Sequence, residues 1–361
     1  MATFEVKTHT VTITEHPNAD ALELAQIGGY SSIVPKGKFQ TGDTVVYIPE
    51  QAVVPEDIIE ELGLTGRLAG KNKNRVKAIK LRGVLSQGLI YPNKGNWAVG
   101  EVLTDTLGIT KYEPPIPASL AGEVANVSQE YTIKYDIENF KNHPNVLQDG
   151  ELVQITEKIH GTFTMISAVP SDWVITDADK LVEGRFIVAS KGLGSKGLVF
   201  KDNEKNANNL YLKTAKALGL FEKVGELADR YGTIVTIAGE IFGQGVQDLQ
   251  YGFDNHQFRL FDIAVGKERV EKRFLDNEDV EAICNEFSID RVPVLYVGEF
   301  SKEILDTYTN GKETVSGKES HIREGVVVKP LKERYSEGLG RVMLKSVSEA
   351  YLLRKGGTEF N

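Results

Sequence analysis

Over the first 115 residues, apolar and polar positions alternate in short runs rather than recurring at helical spacing. Phe4–Thr14, Leu22–Ile27, Ser32–Val34, Thr44–Ile48, Arg75–Leu81 and Gly88–Tyr91 are β-rich runs of this kind. Turn-forming residues separate them at His16-Pro-Asn-Ala-Asp20, Gly28-Gly29, Pro35-Lys-Gly37 and Thr41-Gly-Asp43. One helical stretch, Pro55–Leu64, opens on Glu56 and Asp57, acids that suit the positive end of a helix. These elements predict a small closed β-barrel.

Downstream the pattern changes. Pro114-Pro-Ile-Pro117 and the small-residue run Ala118–Val127 read as a linker, stiff and then pliable. Beyond it, Phe186–Lys191, Thr233–Phe242, Gln257–Val265, Val294–Val297, Gly325–Lys329 and Arg341–Lys345 read as strands. Leu210, Thr214, Leu218, Phe221, Val224 and Leu227 fall at helical spacing, with a break expected near Gly219. Asp276–Phe287, Ser301–Tyr308 and Ser348–Arg354 read as further helices. Strands and helices mix without regular βαβ alternation, which predicts an α+β fold with a mostly antiparallel sheet. A chain of 361 residues also exceeds one ordinary core. The expected division is a barrel domain at 1–115, a linker at 116–130 and a larger domain at 131–361.

Composition narrows the class. No apolar run approaches the ~20 residues of a membrane span, and Met1-Ala-Thr-Phe-Glu-Val-Lys lacks the apolar core of a signal peptide. The single cysteine, Cys284, excludes an internal disulfide and a cysteine-built zinc site. A monomer in the cytoplasm, with no membrane partner, is the expectation. The net charge of −9 argues against a surface coated by nucleic acid but leaves room for a local basic groove. Lys71, Lys73, Arg75, Lys77, Lys80 and Arg82 follow one another without an intervening acid. Val76 and Ala78 take one strand face there and Ile79 and Leu81 the other, so a twist or bulge is expected near Ala78. The run is either a groove tracking a phosphate backbone or an edge strand kept soluble by lysines.

The candidate chemistry centres on Glu151-Leu-Val-Gln-Ile-Thr-Glu-Lys-Ile-His-Gly-Thr162, where an apolar run delivers Lys158 into a turn closed by Gly161. An unperturbed lysine is neutral only about once in a few thousand molecules at pH 7, so a nucleophilic role requires a pocket that lowers its pKa. Four later segments keep a fixed order behind it: Ala238-Gly-Glu240-Ile-Phe-Gly243, Arg259-Leu-Phe261-Asp262-Ile, Glu324-Gly-Val-Val-Val-Lys329 and Arg341-Val-Met-Leu-Lys345. Together the five resemble motifs I, III, IIIa, IV and V of the ATP-dependent RNA ligases, members of the covalent nucleotidyltransferase superfamily. The barrel resembles the tRNA-binding OB modules of some synthetases. Its N-terminal placement is similar to that in the Deinococcus-type nick-sealing RNA ligases.

The resemblance implies a fold, a reaction and a set of roles. The fold is an N-terminal OB-like barrel joined to an adenylyltransferase domain. The reaction uses ATP and Mg2+ or Mn2+ to seal 3′-OH and 5′-phosphate RNA ends, in nicked duplex RNA or an RNA/DNA hybrid, through a lysyl-AMP intermediate. Lys158 is the implied nucleophile. His160, Asp262 and Lys345 complete the catalytic set. Glu157, Gly161, Glu240, Phe261, Lys329 and Lys345 hold the nucleotide, with Glu157 on the adenine amino group, Phe261 stacked on the base and Glu240 on the ribose. Glu324 takes a metal. Lys71, Lys73, Arg75, Lys77, Lys191 and Lys196 are the expected nucleic-acid contacts, with Arg185 an alternative to Lys191. One departure stands out: ligases often carry two lysines separated by one residue in motif V, whereas here Val347 follows Lys345 at that spacing. Either Arg341 substitutes in part, or Lys345 makes both phosphate contacts. The rival readings are a DNA ligase, a capping-type guanylyltransferase, and an OB protein with an idle second domain.

Overall fold

The computed structural model describes residues 4–113, 120–267 and 272–355. It divides into two compact units. One is built from the residues up to Glu113 together with Asn139–Pro144, and the other from the rest.

In the first unit Thr44–Ile48 pairs antiparallel with Lys7–Thr10 and Leu89–Pro92. Its side chains alternate between two cores: Val45 and Tyr47 join Val11, Ala25 and Val34, while Val46 and Ile48 join Val6, Ile58 and Leu103. A second meander links Thr12–Glu15, Leu22–Ile27 and Tyr30–Pro35. The helix, Glu56–Glu61, buries Ile58 and Ile59. Asn139–Pro144 returns to this unit, where Tyr30 donates to Asn142 Oδ1 at 2.9 Å. A Cβ on Gly29 would lie 2.8 Å from that of Lys141, so only glycine admits the segment.

The basic run is not one strand. Val76 and Ala78 are buried, and Arg75 is held by isolated bridges to Val53 and Ala69. The chain then leaves the core as a hairpin, Ile79–Leu81 against Val84–Ser86. Its tip, Arg82-Gly83, has φ of +50° and +85°, as a two-residue hairpin turn requires. The change of parity at Ala78 is therefore resolved by exit from the core, leaving Ile79 54% exposed.

The second unit stacks two antiparallel sheets. One runs Phe186–Ser190, Thr162–Ala168, Val235–Phe242, Gln257–Val265, Arg273–Phe274. The other runs Leu344–Val347, Gly325–Pro330, Leu152–Lys158, Val294–Glu299, with a two-residue strand beginning at Glu138 on its outer edge. Helices Leu210–Ala217 and Leu220–Tyr231 cover the outer face of the first sheet, packing on Ile166, Val188 and Ile237. Between them Gly219 takes the left-handed conformation, φ +60°, at the expected break. On its inner face Met165, Ile187 and Ala238 meet Tyr135, Met343 and Val327, which join the two sheets.

The segment expected as linker up to residue 130 belongs to this unit from Leu120 onward. Val124–Asn126 pairs with Leu198–Phe200, and Val127 is buried. Small apolar residues serve there as an edge strand because a partner strand is waiting for them. Pro114–Pro117, the stiff part of the linker reading, lies outside the described residues. Among the described residues no helix is long and apolar enough to cross a membrane.

Candidate active site

Lys158 ends the strand Leu152–Lys158, which runs between Gly325–Pro330 and Val294–Glu299. Gln154, Thr156 and Lys158 share one face by strand alternation, and Val153, Ile155 and Glu157 the other. The ammonium of Lys158 lies 2.6 Å from Glu324 Oε1, and its side chain is one-quarter exposed. The turn that follows needs Gly161, since a Cβ there would sit 2.3 Å from the Ile241 carbonyl and 2.8 Å from Glu240 Cγ. That close approach brings the lysine turn against the strand carrying Glu240.

The charges around Lys158 are only partly balanced. Burial pushes the Glu324 carboxyl up, but Lys158 and His160 outweigh it and hold the group at about 2. Burial raises Glu240 to about 8, with Lys158 opposing and Glu324 adding to the shift. Burial lowers Lys345 to about 8, helped by Lys158 and Lys191. Lys191 opens a short helix after Phe186–Ser190 and also acts on Glu240. Lys158, Lys191, Lys345, Glu240 and Glu324 thus form one electrostatic group.

His160 is held on all sides. Its Nε2 lies 2.8 Å from Asp248 Oδ1 and its Nδ1 2.9 Å from the Tyr351 hydroxyl. Nδ1 is also 3.6 Å from Glu324 Oε2, and the backbone N–H donates to the Tyr251 hydroxyl at 2.7 Å. Arg354 grips Asp248 at 2.9 and 3.2 Å. The motif reading missed Asp248, Tyr251, Tyr351 and Arg354. Tyr351 and Arg354 are one helical turn apart, but that spacing alone names no partner.

Three expected site residues form a separate cluster. Asp262 is 1% exposed and accepts from Lys329 at 2.6 Å, from Arg341 at 2.8 and 2.9 Å, and from the Tyr135 hydroxyl. Despite burial, Arg341 and Lys329 hold its carboxyl far below the usual range. Glu333 completes the set, accepting from two Arg341 nitrogens at 2.6 Å each. Lys329 and Arg341 are thus both paired with carboxylates, as Lys158 is with Glu324. Asp262 is a buried anchor. Beside it a bulge interrupts the pairing, so that Ala238 faces Asp262 while Gly239 faces Leu260. The skipped residue is Phe261, which is half-buried and packs with Tyr135 and Phe163. Bulges re-aim side chains in this way at functional sites.

The remaining expected residues are placed as follows. The Glu157 carboxylate points away from Lys158, where the Thr314 N–H and hydroxyl donate to Oε2 at 2.8 and 2.6 Å. Arg323 stands 3.6 Å from the same oxygen, so this side chain braces the loop before Glu324 instead of facing the Lys158 pocket. Lys196 is exposed at the end of the short helix. Arg185 pairs with Asp229 at 3.0 Å and donates to the Val169 and Gly225 carbonyls, a structural role. In the first unit Lys71 and Lys73 are exposed, Lys77 is half-buried, and the Arg75 guanidinium lies 4.2 Å from the Tyr112 ring centre. Among the described residues no group of three His, Cys, Asp or Glu side chains is arranged to hold a metal.

Lys158 thus ends a strand among acids and bases, in a unit of two antiparallel sheets. The sequence profile of the RNA ligase family matches residues 151–347, more than half of the chain, and the chain belongs to that family. An OB-fold domain profile matches residues 6–93. Among solved structures, a Naegleria gruberi RNA ligase variant with ATP and Mn is 24% identical over 96% of this chain and 98% of its own, with a TM-score of 0.77. The same ligase with PPi aligns at 24% identity over 97% and 98%, with a TM-score of 0.78. A variant with AMP and Mn gives 24%, 97%, 98% and 0.77. At this identity the match shows a shared fold. No curated protein sequence matches the chain.

Proposed function

We propose that this chain is an ATP-dependent RNA ligase that joins 3′-OH and 5′-phosphate RNA ends, in nicked duplex RNA or an RNA/DNA hybrid. The observation that carries the reading is Lys158, one-quarter exposed and 2.6 Å from Glu324, with the half-buried cation Lys345 in the same charged group. ATP is a substrate. The Lys158 Nζ lone pair attacks the α-phosphorus, the bond to the β-phosphate bridging oxygen breaks, and pyrophosphate leaves. Nζ must first leave its ion pair with Glu324 and lose a proton. Lys345 and Lys191 meet the charge that develops on the phosphate oxygens.

The rest of the pocket suits a nucleoside. Glu240, at about 8, is largely protonated at neutral pH and offers both a donor and an acceptor to ribose hydroxyls. Phe261 and Val327, both half-buried on facing sheets, offer apolar surface to a base. Magnesium or manganese is normally held by one or two carboxylates together with substrate phosphates, so one ionised carboxylate, Glu324, fits such an ion without an all-protein cage. When bound, the ion supplies charge neutralisation at the phosphates. The Naegleria ligase complexes with ATP and Mn, AMP and Mn, and PPi support this reading.

The test is incubation with α-labelled ATP and a divalent cation, followed by denaturation. Label should stay on the protein and vanish in Lys158→Ala; label on that variant would place the nucleophile elsewhere. Four nicked duplexes covering ribose and deoxyribose on each side then test the substrate. The 2′-OH beside the reacting 3′-OH lets a site tell RNA from DNA. Ribose ends on the 3′-OH side should seal efficiently, and deoxyribose ends there should accumulate adenylated 5′ ends. Faster sealing of the all-DNA nick would overturn the RNA assignment.

A further inference from the structure

The segment between Phe242 and Gln257 joins two strands and contains none of the five motifs, yet it makes three successive contacts with the His160-Gly161 turn. Gln247 donates to the Gly161 carbonyl, the Asp248 carboxylate meets His160 Nε2 at 2.8 Å, and the Tyr251 hydroxyl accepts the His160 N–H at 2.7 Å. A second element arrives from more than 90 residues later. Tyr351 places its hydroxyl 2.9 Å from His160 Nδ1 and its ring at 73° to the imidazole, 5.3 Å between centres. Arg354 closes the arrangement by gripping both Asp248 oxygens and stacking 3.6 Å over the Tyr351 ring. The His160 and Arg354 side chains are 2% and 8% exposed, and that of Asp248 is 21% exposed.

These contacts have a chemical consequence. A histidine with a carboxylate on Nε2 and a hydroxyl on Nδ1 has one ring orientation, because each nitrogen is matched to a particular partner. Glu324 bridges the two, with one carboxylate oxygen 2.6 Å from Lys158 Nζ and the other 3.6 Å from His160 Nδ1. The placement of Glu324 against the nucleophile therefore depends on the His160 ring, and the ring depends on Asp248, Arg354 and Tyr351. We propose that Asp248, clamped by Arg354, is a positioning residue for ligation that acts through His160, so that the last described turn of the chain belongs to the ligation machinery. This rests on the ligase reading given above.

Residues that act as a unit are non-additive, and that separates positioning from general support of the fold. The variants are His160→Ala, Asp248→Ala, Asp248→Asn, Arg354→Ala, Arg354→Lys, Tyr351→Phe and the double variant His160→Ala/Asp248→Ala, all in the full chain. Three rates are read for each: lysine adenylation from labelled ATP, AMP transfer from purified protein–AMP to a 5′-phosphate, and sealing of a pre-adenylated nick. Asp248→Ala and Arg354→Ala should lower the same step or steps as His160→Ala. Loss of an orienting partner of a functional histidine typically costs about 10- to 100-fold. The double variant should be no slower than His160→Ala alone, within about 2-fold. Arg354→Lys should recover part of the Arg354→Ala loss. Tyr351→Phe, which keeps the ring and the stack, should lose only a few-fold. Multiplying losses in the double variant, a step profile unlike that of His160→Ala, or full activity of Asp248→Ala would each overturn the proposal. If the unsubstituted chain forms no protein–AMP and seals nothing, the ligase reading itself fails, an outcome distinct from these.

Discussion

Replacing Lys345 by methionine should make the protein more stable and nearly inactive. Lys345 sits on the strand Leu344–Val347, where burial first, then Lys158 and Lys191, lower it from 10.5 to about 8, with Glu324 and Glu138 opposing. A fall of that size means the charged form costs ~3 kcal/mol in the folded protein. Partial screening reduces the gain from methionine to about 1–3 kcal/mol at pH 7. The sign follows from proton counting. Between about 8 and 10.5 the unfolded chain holds the Lys345 proton while the folded chain has released it, so wild-type stability rises with pH across that window. The margin of Lys345→Met over wild type should therefore be largest below about pH 8 and fall under ~1 kcal/mol near pH 10. The two tryptophans make the measurement specific, since Trp97 lies in the first unit and Trp173 in the second. Urea unfolding would be followed by Trp173 fluorescence in a Trp97→Phe background, which avoids treating the two units as one transition. Adenylation should fall ~100-fold or more, as when a preorganised electrostatic group is removed. A Lys345→Met protein less stable than wild type at pH 7, or a margin that does not shrink as pH rises, would refute the reasoning.

Asp262→Ala should destabilise the second unit by ~3–5 kcal/mol, because it strips one partner from a buried charge cluster and leaves Glu333 to serve both Lys329 and Arg341; an unchanged Trp173 transition would contradict this. Gly161→Ala should abolish adenylation while leaving the Trp97 transition of the first unit in place, since the new Cβ would meet the Ile241 backbone carbonyl. Normal adenylation by this variant would show that the turn can yield. Triple replacement of Lys71, Lys73 and Lys77 by alanine should leave adenylation intact, weaken binding of nicked RNA and reduce the slope of log K against log salt by about 2–3; an unaltered slope would mean the run meets no phosphate. Substitution in the full chain is preferable to truncation at Ser128, which would remove the Val124–Asn126 strand of the second unit.

How much of this was legible in the sequence depended on whether a residue's role is local. Lys158, Gly161, Glu240, Glu324 and Lys345 come together as expected because each sits on or beside an apolar β-run, whose alternation sets the face it takes. Lys329, expected beside the nucleotide, pairs with Asp262, and so does Arg341. A lysine at a strand end looks the same whether it faces phosphate or Asp262, and only the bulge opposite Ala238 decides which. Glu157 and Lys158 are neighbours in sequence and lie on opposite sides of the strand, as alternation predicts, with Glu157 held by Thr314 and Lys158 by Glu324. Val124–Val127 read as linker because small residues carry little intrinsic signal; the strand Leu198–Phe200 supplies the reason for order. Asp248, Tyr351 and Arg354 find His160 from separations of 88, 191 and, through Asp248, 106 residues, which no local pattern encodes.

The two charge clusters of the second unit explain why one is structural and the other chemical. Around Asp262 the formal charges cancel: Asp262 and Glu333 against Lys329 and Arg341, with Tyr135 adding a donor. Each charged group there already has an opposite charge within the cluster. Around Lys158 the same residue types are left in conflict. Glu240 and Lys345 are both driven to about 8, from opposite directions, so near physiological pH Glu240 is largely neutral while Lys345 keeps its charge by a narrow margin. Such groups gain from further partners: an anion beside Lys345, and hydroxyl partners or a cation beside Glu240. A nucleoside triphosphate with its metal supplies these together. The acid and the lysine that the fold tolerates least are thus the ones a nucleotide would stabilise most, while the settled cluster at Asp262 fixes the bulge that aims Phe261.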